Sequence, residues 1–381
     1  FDWHVIECRG HDFKDIERSL NEAEKLTDKP RFIIADTVKG KGISFMEAPE
    51  KTEDGKLLYK WHSGAPDDTF FKMGIDELKA KIDKQTNELG IEPVEYMEVI
   101  NEPKKQSNVS KEFVKIAFGE ALLEQAENRK DLIVLDGDLS ADCGLRPFET
   151  KYPERFIENG IAEQDMVSSA GGLARQGLLP VVNSFASFLA SRANEQIYNN
   201  ACENTKIIYA MHFSGIIPAG PGKSHQSVRD ISLMGAIPNM LIVQPCNALE
   251  TKMLVDYCVN KAASNCCIRL IIGPSPREIK LADNYRLEEG RGAVLRGGKD
   301  AVVFGYGPVM LYEALTASEL LEKEGFGLKV VNMPWLNRID EKWVKDTIGD
   351  VEKVFILEDH SEFGGLGAQL VYSQKDNLNK R

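Results

Sequence analysis

Short, mostly apolar strand-like runs recur along this chain, and helical patterns separate them. Leu132-Ile133-Val134-Leu135 is the clearest. Similar runs follow at Pro180–Val182, Ile207–Met211, Leu241–Gln244 and Cys267–Ile272, and again at Ala301–Tyr306, Leu328–Val331 and Lys353–Leu357. A strand half-buried against one layer alternates apolar and polar residues, whereas a continuously apolar strand is covered on both faces. Strands of that kind, alternating with helices, predict mainly parallel sheets in α/β layers.

Three such units are expected in succession, each a doubly wound α/β domain, with the first incomplete. Residues 1–105 hold strand-like Trp3–Glu7, an amphipathic helix near Asp15–Leu26, strand-like Arg31–Val38, a Lys39-Gly40-Lys41-Gly42 loop and a charged helix from Asp76 to about Leu89. Polar residues from Asn101 to Ser110 predict a linker. A second domain spans 106–285, opening with a helix from Ser110 to about Asn128, and a third spans 286–381. With 381 residues there is material for two or three cores. The chain begins inside a strand-like run and ends in polar residues, as a piece of a longer polypeptide would.

Bulk charge narrows the partners. A net charge of −12 offers no basic surface for nucleic acid. No apolar run is long enough to cross a bilayer. Seven cysteines, an odd number with no zinc-type spacing, fit a reduced cytoplasmic setting.

The chemistry is concentrated around Ile161-Ala162-Glu163-Gln164-Asp165, which runs into Ser168-Ser169-Ala170-Gly171-Gly172-Leu173-Ala174. A helix this rich in glycine and alanine gives up propensity. Close approach of a backbone, another helix or a ligand is the compensation. Glu163 would open that helix in apolar surroundings, where a carboxylate holds its proton more tightly than in water. A lone first-turn Glu serves the helix dipole equally well, so the downstream residues decide its role. Phe185 and Phe188 are three apart after the strand at 180–182 and could present both rings on one side of a turn or short helix. Farther on, Gly220-Pro221-Gly222-Lys223-Ser224-His225-Gln226 is a loop that would hold a His and a Gln at a sheet's carboxyl edge, where ligands bind.

Together these segments resemble the transketolase family of thiamine-diphosphate enzymes, most closely its small, two-subunit members. The resemblance extends over essentially the whole chain. Residues 1–105 are similar to the last part of the diphosphate-binding domain, through Gly10-His11-Asp12, Thr37-Val38-Lys39-Gly40-Lys41-Gly42 and Trp61-His62-Ser63-Gly64-Ala65-Pro66. Residues 110–275 are similar to the pyrimidine domain. Residues 290–381 are similar to the C-terminal domain, through Glu358-Asp359-His360 and Gly364-Gly365-Leu366-Gly367.

The resemblance implies a role for each matched position. Glu163 is the glutamate that hydrogen-bonds the aminopyrimidine ring nitrogen, favouring the imino tautomer whose exocyclic nitrogen removes the thiazolium proton and makes the carbanion. Phe185 and Phe188 stack on the pyrimidine, while the family's third aromatic falls at Ser191. His62 and His225 lie near the reacting carbon and the substrate oxygens, with Gln226 and Arg269 beside the substrate. Asp138 and Leu139 line the cofactor at a subunit interface. A homodimer is implied, with sugar or sugar-phosphate substrates and transfer of a two-carbon ketol unit.

Three departures matter. The family's Gly-Asp-Gly…Asn motif for magnesium and diphosphate is absent, so no metal ligand is assigned to this chain and the motif is expected upstream of Phe1 or on a partner. The Asp that reads a donor-sugar hydroxyl falls at Pro221. The second Arg of a strand-end pair, used for the sugar phosphate, falls near Ile272. Losing a carboxylate and a guanidinium removes charge-assisted hydrogen bonds, and a routine pentose phosphate is not the expected substrate. Deoxyxylulose-phosphate synthase shares the Ile-Ala-Glu-Gln run and the His-Gln loop and is the second enzyme reading. A cofactor-free scaffold is the third.

Overall fold

The computed structural model describes residues 2–47, 49–51, 57–59, 61, 66–97, 110 and 112–374. It divides into two compact units, Phe1–Lys104 and Lys105–Arg381.

In the first unit β1 (His4–Arg9), α1 (Phe13–Lys25) and β2 (Arg31–Asp36) form a strand–helix–strand crossover, with β1 and β2 parallel. Asp12 starts α1 by accepting hydrogen bonds from the Lys14 and Asp15 amides. Val5, Phe32 and Ile34 are exposed. The short strands β3 (Glu50–Lys51) and β4 (Leu57–Leu58) pair antiparallel. Helix α2 (Asp68–Leu89) runs from an Asp67 cap to Gly90, which takes the left-handed φ of 63° that a glycine tolerates at a helix end. The expected linker at 101–110 falls almost wholly outside the described residues.

The second unit carries the larger core. Its elements, in order, are α3 (Val114–Asn128), β5 (Leu132–Asp136), α4 (Arg146–Lys151), β6 (Phe156–Glu158), α5 (Glu163–Arg175), β7 (Leu179–Phe185), α6 (Ala186–Arg192), α7 (Asn194–Cys202), β8 (Ile208–His212), α8 (Asp230–Gly235), β9 (Leu241–Val243), α9 (Ala248–Asn260) and β10 (Cys266–Leu270). The six strands are ordered β6-β5-β7-β8-β10-β9, and each adjacent pair is parallel. Every residue of β5, β7, β8 and β10 is buried, as continuously apolar strands require.

A second sheet follows. It holds β11 (Ala293–Arg296), β12 (Ala301–Gly305), β13 (Leu328–Asn332) and β14 (Val354–Leu357), with α10 (Gly307–Lys323), α11 (Glu341–Ile348) and α12 (Leu366–Ser373) between and after them. The order is β11-β13-β12-β14, parallel except for the antiparallel edge strand β11. The α/β class with mainly parallel sheets is therefore as the apolar runs predicted.

A buried ion cluster joins the two sheets of this unit. On β10, Arg269 Nε donates to Asp230 Oδ2 at 2.6 Å, and Nη1 and Nη2 reach Asp359 Oδ1 after β14 at 3.4 and 3.5 Å. Gln244 accepts from the same guanidinium, and the Tyr306 hydroxyl donates to Asp359 at 3.1 Å. Among the described residues no helix is long and apolar enough to cross a membrane.

Candidate active site

The carboxyl ends of β5 to β8 converge on one edge of the six-stranded sheet, and the residues singled out from the sequence follow those ends. Register pairs Asp136 with both Glu158 and Asn183, and Phe185 with His212. Loops leaving such an edge are free of ladder constraints and can carry ligand contacts.

Glu163 is the first residue of α5 and is buried, with 6% exposure. Its Oε1 accepts a hydrogen bond from Arg192 Nη1 at 2.6 Å. The expectation of purely apolar surroundings is thus corrected: a guanidinium from the last turn of α6 neutralises the carboxylate, because a buried charge needs a partner. That same guanidinium lies over the Phe188 ring, 4.1 Å from its centroid. Phe188 packs against Phe185 and His225 with ring centroids 5.6 and 5.2 Å away. Phe213, held at a left-handed φ of 59°, closes the cluster against Phe185 and His225. Glu163, Phe185, Phe188 and His225 therefore form one constellation, linked through Arg192.

Neighbouring polar groups set the backbone around it. Glu158 Oε1 accepts from the Asp138 amide at 2.9 Å and the Gly160 amide at 2.7 Å, tying the loop after β5 to the loop before Glu163. Asp138 is exposed with φ 60°, and Leu139 is half-buried with its amide on Asp136 Oδ2 at 2.8 Å. Burial pushes the Asp136 carboxyl up to about 7, against the hydrogen bond from Asn183 that lowers it. His225 Nδ1 shares a hydrogen bond with Ser224 Oγ at 2.8 Å, and Gln226 Nε2 donates to the Ile216 carbonyl at 2.9 Å. At Ser191, where the aromatic wall thins, the hydroxyl takes Arg229 Nη2 at 3.0 Å.

Two expected residues are not part of this constellation as described. Arg269 is wholly buried and spends its donors on Asp230, Gln244 and Asp359. Its charge is matched in the interior, so it braces the fold and offers no open face to a substrate. His62 lies outside the described residues. Among those described, no group of three or more His, Cys, Asp or Glu side chains is placed to hold a metal ion.

Arg192, Phe213 and Asp136 were missed in the sequence. Arg192 had a signal, lying four residues beyond Phe188 and so one helical turn away on the same face. Phe213 had none, because its role depends on a left-handed turn.

Residues 114–271 match the transketolase pyrimidine binding domain, and residues 290–380 match the transketolase C-terminal domain. A protein from Methanocaldococcus jannaschii named "putative transketolase C-terminal section" is 34% identical over 268 residues, covering 69% of this chain and 83% of that protein. A 1-deoxy-D-xylulose-5-phosphate synthase from Microcystis aeruginosa is 29% identical over 369 residues, covering 96% of this chain and 52% of the synthase. The chain thus spans about half the length of that curated relative. Among solved structures, one described as "split gene transketolase, inactive beta4 tetramer" superposes with a TM-score of 0.63 at 32% identity, covering 70% of this chain and 86% of that one. Campylobacter jejuni transketolase, at 18% identity and a TM-score of 0.56, shares the fold.

Proposed function

Since the chain belongs to the transketolase family, we propose that it works with thiamine diphosphate as a transferase of two-carbon ketol units between sugar or sugar-phosphate substrates. The observation that carries this reading is the Glu163–Arg192–Phe188–His225 constellation at the sheet's carboxyl edge. A buried carboxylate beside an aromatic face fits a flat, hydrogen-bonding heterocycle. Bound thiamine diphosphate supplies a thiazolium carbon nucleophile. Glu163 would hold the pyrimidine ring by a hydrogen bond and steer its proton, and Phe185 and Phe188 would exclude water and fix its plane. With Nδ1 engaged by Ser224, His225 has Nε2 as the ring atom for a substrate oxygen, where it would stabilise developing charge. Asp138 and Leu139 would border the cofactor, with Gln226 holding the loop behind His225.

Magnesium and the diphosphate require ligands beyond those described. One similar structure bears the description "inactive beta4 tetramer", which supports a reading in which this part of the family's fold depends on a diphosphate-binding part for activity. A homodimer with shared sites and a cytoplasmic location complete the proposal.

The match to deoxyxylulose-phosphate synthases over nearly the whole chain favours a second reading, a deoxyxylulose-phosphate-synthase-like reaction that releases carbon dioxide from pyruvate. Two assays separate them. Ketol transfer from a modified ketose supports the first, and carbon dioxide release from pyruvate supports the second. Normal turnover of xylulose 5-phosphate with ribose 5-phosphate would keep ketol transfer but overturn the expectation of an unusual substrate. Failure of the complete protein to bind thiamine diphosphate with magnesium in calorimetry leaves the cofactor-free scaffold.

A further inference from the structure

The Arg192 side chain makes both contacts that the cofactor reading assigns to a pyrimidine ring. Its Nη1 donates to Glu163 Oε1 at 2.6 Å, and its guanidinium carbon lies 4.1 Å from the Phe188 centroid. One flat group therefore occupies the space between a buried carboxylate and an aromatic face. A guanidinium and an aminopyrimidine are alike in the features that matter here. Each is planar, carries an N–C–N edge and can stack. The Arg192 side chain is half exposed, whereas that of Glu163 is 7% exposed, so the arginine is the partner with room to leave.

We propose that Arg192 is an exchangeable stand-in for the heterocycle: it caps Glu163 and covers Phe188 in the free protein and is displaced when the pyrimidine ring docks. Resting on the cofactor reading above, this adds a residue that controls occupancy of the site. Arg192 stabilises the free form by satisfying a buried carboxylate. It also opposes ligand binding, because its two contacts are broken before the ligand's are made. No covalent step is involved, only the exchange of one hydrogen-bonded, stacked plane for another.

Calorimetric titration of the complete protein tests the exchange, with thiamine diphosphate plus magnesium as one probe and 4-amino-2-methylpyrimidine as the other. Arg192→Ala is expected to bind both probes about tenfold more tightly than the wild type, the combined size of a half-exposed ion pair and a cation–π contact. Arg192→Lys keeps the charge and loses the plane, so it is expected to fall between them, and it serves if the alanine variant folds poorly. Binding of both probes that is unchanged or weaker in the two variants overturns the exchange. If the pyrimidine fragment binds Arg192→Ala tightly while thiamine diphosphate binds no form, the stand-in role holds and the cofactor reading falls. If neither probe binds any form, both fall.

Discussion

Arg269 and Asp230 meet at 2.6 Å with neither side chain exposed to solvent. The pair joins β10 to α8, the helix that follows the His225 loop, and through Asp359 reaches the second sheet. A paired buried charge is tolerable, but an orphaned one is costly. Arg269→Leu would strand Asp230 and Asp359, and it is expected to lower unfolding stability by about 3–5 kcal/mol. Urea denaturation followed by circular dichroism checks this. A variant of normal stability with a raised KM would instead make Arg269 a substrate contact.

Two adjacent glycines of α5 make opposite predictions. A Cβ on Gly171 would lie 2.1 Å from Asn200 Oδ1, and Asn200 is held by its bond to the Val167 carbonyl at 2.8 Å. Gly171→Ala should therefore cost about 1–3 kcal/mol, since overpacking moves a fixed neighbour. Gly172 has nothing within 4 Å of the same position. Gly172→Ala should add up to about 1 kcal/mol through helix propensity. Thermal unfolding of the two variants compares them; equal effects would contradict the packing.

His212 is buried at the end of β8, beside Phe118, and neither ring nitrogen has a hydrogen-bond partner. Burial, with a smaller contribution from Lys115, pushes its pKa down to about 3. The folded protein therefore keeps it neutral, while an unfolded chain binds a proton near pH 6.5. Its contribution is intact above pH 6.5 and is lost as pH falls from there toward 3. Between pH 7 and pH 5 the loss is about 2 kcal/mol. His212→Leu should remove that part of the acid dependence, read as a flatter stability curve over this range. A curve parallel to the wild type's would count against it.

The parallel sheets were legible because burial on both faces writes itself into sequence: Leu132-Ile133-Val134-Leu135 cannot sit at a surface. Of the second unit's four edge strands, β9 and β14 were legible as apolar runs, whereas β6 and β11 are only part-buried, with an exposed residue in each, and neither stood out. Within the site, Glu163, Phe185, Phe188 and His225 were found as separate residues, and their meeting is a product of topology. Arg192 went unread because a guanidinium at a helix end is ordinary, until folding puts Glu163 beside it. Arg269 shows the opposite failure. The family resemblance implied a substrate contact there, yet whether a side chain near the end of β10 faces outward or into an ion cluster depends on what Asp230 and Asp359 bring from distant segments.

In the proposed function, Glu163 holds and activates the pyrimidine ring of thiamine diphosphate. This role is tested most directly by the rate of hydrogen exchange at the thiazolium carbon of cofactor bound to the complete protein, followed by NMR in deuterated water. Exchange is expected to be at least ~100-fold slower in Glu163→Ala than in the wild type, the usual scale for losing a general acid–base group, with the circular dichroism spectrum unchanged. Exchange at the wild-type rate in Glu163→Ala would contradict it.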